Sequence, residues 1–576
     1  MDHPPASPEI DMEEVGIDKY SYLPEPIIHQ IMSLLPTEDS TRISTLSKSS
    51  LLSWRSFPIL DFDFYLMEST SRAVFTMDMF LNLVIHSLER RALRSDLRRL
   101  RFRACLHHRQ HNVAVVVRRM VNFAIENKRM SLSGLQLDFT NLVLSCPLIE
   151  EFSITDCSSK VGICMTVCSA KLKTAKFKNW IGLDTIHMDN AACLESFSYS
   201  GDTINEHFQI INLSSCKSLK ILKLDGVSIT DKWLENLLSQ FFSLEILKLK
   251  LCKQLKNLRI SMGHLKIMSF KDCTSLENVD VVAQNLEFFR YSKKLPFTGR
   301  RCNFNLSKCT NLKDLQLIGA RLNVTPGWTE EEISTPGFSF LERLKIEGCK
   351  FLKTINFYAE HLKHLELRGC STLQDTEIDA PNLVSFVYGG PVLTSSAIIF
   401  CKYQYAELHL YYLGLVNDYY RRLRDFVGKF GHYQTLTLVC NADSQLIFPF
   451  ETREMFIARL FDLKHLNIVL KTPIKSMVDL IDGLLWLVPH SETISINMAC
   501  KLHAKFKFYY NSTSKFEYDE DDTKMGCCRY GIKCWRHFLT RVEMEIFEKF
   551  DEWESLQSFF MKMAKAEITT SIDKIE

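Results

Sequence analysis

The thiols are the side chains with the most obvious capacity for chemistry. The 576-residue chain carries 19 cysteines. Cys527, Cys528, Cys534 and His537 form the nearest approach to a metal-ligand cluster. A structural zinc site needs a second pair at finger spacing; none accompanies them, and no metal is expected. Cys157, Cys252, Cys273, Cys349 and Cys370 recur at a constant offset within a repeated pattern. Ligands one repeat apart would form a ladder rather than converge on one ion, so these read as small buried thiols. The sequence contains no Gly-x-Gly-x-x-Gly, phosphate-cradling Gly-Lys-Ser/Thr, His-Glu-x-x-His or Gly-x-Ser-x-Gly. A protein that binds without catalysing, and without a cofactor, is expected.

The offset of those cysteines is set by a line of the form apolar-x-x-apolar-x-apolar. It recurs from IEEFSI (Ile149–Ile154) through LKTAKF, LESFSY, LKILKL, LEILKL, LKIMSF, LEFFRY, LKDLQL, LERLKI and LKHLEL to LVSFVY (Leu383–Tyr388). The eleven lines start 21 to 29 residues apart, the leucine-rich-repeat period. The fourth and sixth positions lie two apart, on one side of a short strand. One coil cannot enclose its own apolar row, so neighbours must stack into a continuous core. Eleven residues after several line starts comes a second apolar triplet (LDTIHM, LKNLRI, LENVDV, LKTINF, LQDTEI), so short coils are predicted to carry extended segments on both faces. The coil from Leu219 differs: Trp233, Leu234, Leu237, Leu238 and Phe241 fall at helical spacing after a Thr230 or Asp231 cap. Weaker lines follow near Leu408, Leu436, Leu463 and Ile494. LSGLQL (Leu132–Leu137) reads as a first coil.

Composition narrows the class. Hydrophobic residues make up 46% and charged residues 24%, with 70 Lys+Arg against 68 Asp+Glu. A net charge of +2 gives no global pull toward nucleic acid or membrane. The longest apolar runs, such as Leu484–Val488, are too short for a span. Residues 1–17 are acidic and read as disordered, and no signal core follows them. An odd number of cysteines without an export signal points to reduced thiols in the nucleus or cytoplasm.

Charge is informative locally. With positions four and six buried, positions three, five and seven face a concave surface. Between Leu172 and Leu286 those positions hold Lys176, Lys178, Lys223, Lys248, Lys250, Lys271 and Arg290 against one acid, Asp225. Such a strip suits an acidic or phosphorylated protein segment; the alternative is a solvated charged face. A second basic region, Arg90–Arg119, suits an acidic partner or a polyanion such as an inositol phosphate. It also fits a plain solvated helix and strand with Leu97, Leu100 and Phe102 as an early line. Interleaved aromatics and DNA-binding motifs are missing, which argues against nucleic acid. EYDEDD (Glu517–Asp522) reads as an exposed acidic loop.

Residues 18–60 differ in character. Leu23, Ile27, Ile31 and Leu34 mark one helix face, Pro24 suits a first turn and Pro36 ends the run. Thr37 can cap the next segment, in which Ile43 and Leu46 share a face, and SSLLSWRSF follows. Three short helices cannot bury all these side chains, so apolar surface must remain for a partner.

LPEPIIHQIMSLLPTEDSTRISTLS followed by SWRSFPILDFD resembles the plant F-box motif, and an F-box ahead of leucine-rich repeats is a known plant receptor architecture. Where relatives carry Lys-Arg-Trp, this chain has Ser49, Ser50 and Leu51. The stretch from Cys534, CWRHFLTRVEMEIFEKFDEWESLQSFFMKMAKAEITTSI, resembles the C-terminal FBD segment of such proteins. In it Val542, Met544 and Ile546 alternate as a strand. Trp553, Leu556, Phe559, Phe560 and Met563 fit a helix, and a strand follows from Ala566. The resemblance implies an α/β protein with an F-box at 18–60, a connecting region and entry to the solenoid at 61–131, a curved solenoid with a parallel concave sheet at 132–500 and an FBD-like cap at 501–576. It further implies a substrate-recognition subunit of an SCF-type cullin–RING ubiquitin ligase. Its F-box would dock on a Skp-type adaptor through Leu23, Pro24, Ile27, Ile31, Leu34, Leu35, Pro36, Ile43, Leu46 and Trp54. Some of these, Ile31 and Leu46 above all, read equally as residues that only hold the helices together. The second functional reading is a repeat scaffold for a protein or small anionic ligand, without ligase recruitment.

Overall fold

Most repeat lines fold as five-residue strands, and the alternation along each decides what is buried. In the strand Ile221–Asp225, Leu222 and Leu224 are sealed in the core while Lys223 between them is exposed. The chain then leaves the sheet through one residue in the left-handed region. Asp156, Gly226, Leu251, Asp272, Gly319, Gly348 and Gly369 occupy this place with φ between 53° and 68°. That sharp exit turns the next side chain inward. Cys157, Cys252, Cys273 and Cys370 sit there, each at most 1% exposed, as their spacing predicts; Cys349 lies outside the described residues.

The computed structural model describes residues 23–35, 37–57, 59–70, 75–89, 99–103, 129–133, 141–145, 149–201, 210–293, 302–319, 339–348, 354–371, 373, 375–393, 395–400, 405–411, 416–431, 433–448, 460, 463–498, 501–511, 534–547, 553–564 and 566–572. Residues 1–17, Pro36, most of Arg90–Arg119, Cys527, Cys528 and Glu517–Asp522 fall outside them. The chain divides into two units, Met1–Leu247 and Lys248–Glu576.

In the first unit, three short helices, α1 (Glu25–Ser33), α2 (Thr37–Ile43) and α3 (Lys48–Ser56), precede the coils. The front ladder is parallel throughout. It runs Ile59–Asp63, Arg99–Arg103, Arg129–Ser133, Glu151–Thr155, the first half of Thr174–Asp189, Ser196–Gly201 and Ile221–Asp225. The sheet therefore begins at Ile59, well before residue 132, the boundary the repeat pattern suggests. Its first coils are backed by α4 (Phe64–Thr70) and α5 (Met77–Glu89), and Phe80 of α5 meets Phe102 at 5.4 Å between ring centroids. The back ladder joins Asn141–Ser145, Ser158–Cys168, the second half of Thr174–Asp189 and Ile210–Asn212. The long coil from Leu219 carries α6 (Asp231–Leu238), capped by Thr230 and buried through Leu234, Leu237 and Leu238. A short coil has room only for an extended return, and a longer one accommodates a helix.

The second unit repeats this plan. From Ile267–Lys271 to Thr493–Met498, ten front strands pair in parallel. Two back ladders run Asn257–Ser261, Asn278–Val282, Asn303–Asn305 and Thr354–Tyr358, Asp375–Ala380, Ser395–Phe400. Longer coils carry α7 (Val416–Gly428) and α8 (Met477–Leu487). The direction changes at the end: Lys501–Tyr510 pairs antiparallel with Thr493–Met498 and with Leu539–Ile546. A connection as short as residues 499–500 permits only a hairpin. Glu567–Ile572 then adds a parallel strand after α9 (Trp553–Ala564), which buries Leu556 and Phe560.

Candidate functional site

The helical module closes around a small core of its own. Ile28, Met32, Trp54 and Phe57 are buried together, with Leu23, Ile43 and Ile59 packed against them. Polar contacts fix the helices: Ser40 Oγ donates to the Met32 carbonyl at 3.0 Å, His29 Nε2 lies 2.9 Å from the Ser53 carbonyl, and Ser47 caps α3 by accepting from Ser50 N. The inner face of α1 is Ile28 and Met32, so Ile27, Ile31 and Leu34 of the face read from periodicity lie on the outer side, while Leu23 packs inward. Ile27 is 44% exposed, Leu34 81%, Leu35 37% and Leu46 64%. Pro24 is exposed and Ile31 half-buried. Three residues expected on the docking face turn inward, among them Leu23 and Ile43, which are partly buried against this core. Trp54, expected on the docking face, is 1% exposed and braces the core; Leu46, read both as a docking residue and as one that holds the helices together, stands in solvent. Leu52, 62% exposed on α3, was missed because the motif draws attention to Trp54. Its position two residues before that tryptophan, on the opposite side of a helix, is the signal that finds it.

Of the basic strip, Lys176, Lys178 and Lys223 belong to the first unit. Register places Ser153, Lys176, Ser198 and Lys223 in one row across four strands, and Thr155, Lys178, Ser200 and Asp225 in the next. The three lysines are exposed, and among the described residues none has an ion-pair partner. Ser200 donates to Asp225 at 3.3 Å.

Lys248, Lys250, Lys271 and Arg290 belong to the second unit. Arg290 lies in register between Ser269 and Gln316. Burial raises the nearby Asp314 carboxyl above its ordinary value, opposed by Gln316, by Arg343 and, least, by the charge of Arg290. Farther along, the face is self-neutralising. Lys345 meets Glu347 at 3.0 Å and Glu366 at 2.9 Å; Arg368 meets Glu366 at 2.9 Å and Glu407 at 3.0 Å. Glu407 also accepts from Tyr405 at 2.7 Å and pairs with His409. The His409 contact is the main cause that pulls Glu407 down to about 2; burial opposes it, and Tyr405 and Arg368 assist. Tyr405 is raised to about 12, by burial and then by Glu407. Arg368 reaches Glu407 across the intervening strand because Gly389 stands in register between Arg368 and His409. A Cβ there would meet both neighbours at 3.4 Å.

A second pattern escaped the repeat reading. The residue after each of the first ten line starts alternates in sign: Glu150, Lys173, Glu195, Lys220, Glu245, Lys266, Glu287, Lys313, Glu342, Lys363. Stacking sets opposite charges beside one another along the coil edge. The pairs Glu150–Lys173, Glu195–Lys220, Glu287–Lys313 and Glu342–Lys363 lie at 2.9, 3.1, 3.5 and 3.0 Å. Each is exposed and individually weak, but together they favour one stacking order.

At the C-terminal end Val542, Met544 and Ile546 are buried in one strand, and Arg536 binds Asp482 of α8 at 3.3 Å, both largely shielded. The segment from Cys534 is thereby tied to the last coils. Among the described residues no group of three or more His, Cys, Asp or Glu could hold a metal, and no helix is long and apolar enough to cross a membrane.

Comparison with known proteins agrees with this architecture. The F-box/FBD/LRR-repeat protein At1g51370 of Arabidopsis thaliana is 40% identical over 65 residues, 11% of this chain and 15% of its own length. The putative F-box/FBD/LRR-repeat protein At4g13965 of the same organism is 49% identical over 49 residues, 8% of this chain and 12% of its own. The matches thus span only a small share of either relative. The family model described as At1g61320/AtMIF1, LRR domain, matches residues 207–325 and 329–517. These two segments take in more than half of the sequence and contain the stacked front strands of the second unit; on that match the chain belongs to this leucine-rich-repeat family.

Proposed function

We propose that this protein is the substrate-recognition subunit of an SCF-type cullin–RING ubiquitin ligase. The helical module acts as an F-box that docks on a Skp-type adaptor, and the repeats hold the protein to be modified. The observation that carries the reading is the apolar ledge of Ile27, Leu34, Leu35, Leu46 and Leu52 on a module whose own core is already closed. Side chains of this kind left in water around a finished core mark a partner surface. The F-box names of the two relatives support it. The chain itself is no enzyme in this reading: it needs no cofactor and acts by proximity, bringing its target to a charged ubiquitin-conjugating enzyme in the nucleus or cytoplasm. The C-terminal segment, FBD-like in sequence, caps the last coil.

The test is co-purification of the full chain with a Skp-type adaptor. Ile27→Asp with Leu34→Asp removes the adaptor without unfolding the module, since both residues lie outside its core. An intact chain that captures no adaptor returns the protein to the second reading, a repeat scaffold for a protein or small anion. One feature favours that alternative: Ser50 is buried and Ser47 caps α3, so the segment where relatives carry Lys-Arg-Trp is occupied with starting its own helix.

A further inference from the structure

The two sets of lysines in the first unit are treated differently by the fold. Those at the coil edge, Lys173 and Lys220, are each matched by a glutamate from the preceding coil. Those on the front face, Lys176, Lys178 and Lys223, have no such match among the described residues. A sequence that pairs its lysines so regularly one row away has the means to pair these too. Leaving them unmatched costs mutual repulsion, which an anion bound between them would relieve.

The register shows where that anion would sit. Ser198 lies in the row between Lys176 and Lys223, two strand spacings that set the lysine backbones roughly 10 Å apart. Both side chains are long enough to lean over the serine from opposite sides. Ser153, Thr155, Thr174, Ser196, Ser198 and Ser200 pave the surrounding front surface with small hydroxyls, and the half-buried Ile221, in register with Ser196, lies one row away from Lys176, Ser198 and Lys223. The face's acids, Glu151 and Asp225, stand at opposite corners, leaving the row Ser153–Lys176–Ser198–Lys223 free of negative charge.

We infer that this row receives a phosphorylated serine or threonine on an extended segment of the target protein. The phosphate lies over Ser198, between the ammonium groups of Lys176 and Lys223, and Lys178 stands at its flank. A phosphate dianion offers three acceptor oxygens and nearly two charges, which matches two ammonium donors and one hydroxyl better than a single carboxylate does. Asp225 adds selectivity by repelling an acidic residue on its side of the phosphate. This assignment rests on the reading of the repeats as the target-binding part, and it specifies which targets: those marked by phosphorylation.

The test uses the full chain and three short fluorescent peptide pools, alike except for a central phosphoserine, serine or glutamate. The phosphoserine pool is expected to bind at least about tenfold more tightly than the serine pool, which is about 1.4 kcal/mol, and more tightly than the glutamate pool. Lys176→Glu with Lys223→Glu should abolish that preference, and the milder Lys176→Gln with Lys223→Gln should reduce it. Lys217→Glu with Lys232→Glu, the same charge change off this face, should leave it intact. Circular dichroism melting establishes that each variant is folded. Equal binding of the three pools, equal binding of the glutamate and phosphoserine pools, or indifference to the Lys176/Lys223 changes would overturn the assignment. Binding of inorganic phosphate without any peptide preference would also overturn it and make the row a small-anion site. Adaptor capture is read on the same preparations and is expected to be unchanged. If capture fails while phosphopeptide binding persists, the ligase reading falls and this one stands.

Discussion

Glu407 accepts hydrogen bonds or charge from Arg368, Tyr405 and His409 at once, and its acidity follows from that company. Its folded pKa lies at about 2, below the ordinary 4.5. The stability it contributes is therefore fully present above about 4.5 and is lost as pH falls through about 2. Urea midpoints measured down that range should fall for the native chain, with a shallower acid limb for Glu407→Gln. At neutral pH the same substitution should cost about 1–3 kcal/mol, because Arg368 loses one of its two charged partners. An identical acid limb in the two proteins would mean that the network is not formed in solution. None of this was legible in the sequence. Glu407 and Arg368 are 39 residues apart, and Arg368 reaches over a whole strand past residue 389, a glycine with no side chain in its path. Trp54 teaches the converse: a motif identifies an important residue without saying whether it faces inward or outward.

Coils are the unit at which the sequence spoke most clearly. A period-two burial pattern repeated at constant length leaves one arrangement that hides every apolar row, so strands, buried cysteines and the helical back of the Leu219 coil could all be placed in advance. Leu365, 1% exposed in the strand His364–Arg368, should cost about 2–5 kcal/mol when cut to Ala; a much smaller loss in denaturant unfolding would contradict the stacking register. The exit turn is equally specific. Gly319 has φ +68°, and a Cβ there would stand 2.5 Å from the Lys293 carbonyl oxygen. Gly319→Ala is expected to destabilise by about 1–3 kcal/mol, whereas Leu251→Gly, at φ 53°, removes strain at its coil exit and should be neutral or mildly stabilising. Thermal unfolding of the two variants should show shifts that differ in this sense. Harder to foresee was the first strand, since Ile59–Asp63 lacks the repeat line and joins the sheet through pairing with Arg99–Arg103 alone.

At the scale of the whole molecule, the docking ledge and the lysine row are built from different elements and share no residue. They should fail independently: Ile27→Asp with Leu34→Asp is expected to abolish adaptor capture and spare phosphopeptide binding, and Lys176→Glu with Lys223→Glu to do the reverse. Loss of both functions in either variant, with the fold intact, would show the two surfaces to be coupled. The sequence alone determined the repeat, its period, the direction of the apolar side chains on the repeat lines and the existence of a separate helical module, because local alternation and spacing depend only on neighbours along the chain. Tertiary structure decided which charges were cancelled. Whether a lysine meets a glutamate depends on which residue of the next coil lies beside it, some 20 to 30 positions away, and that neighbour is fixed only when the coils stack.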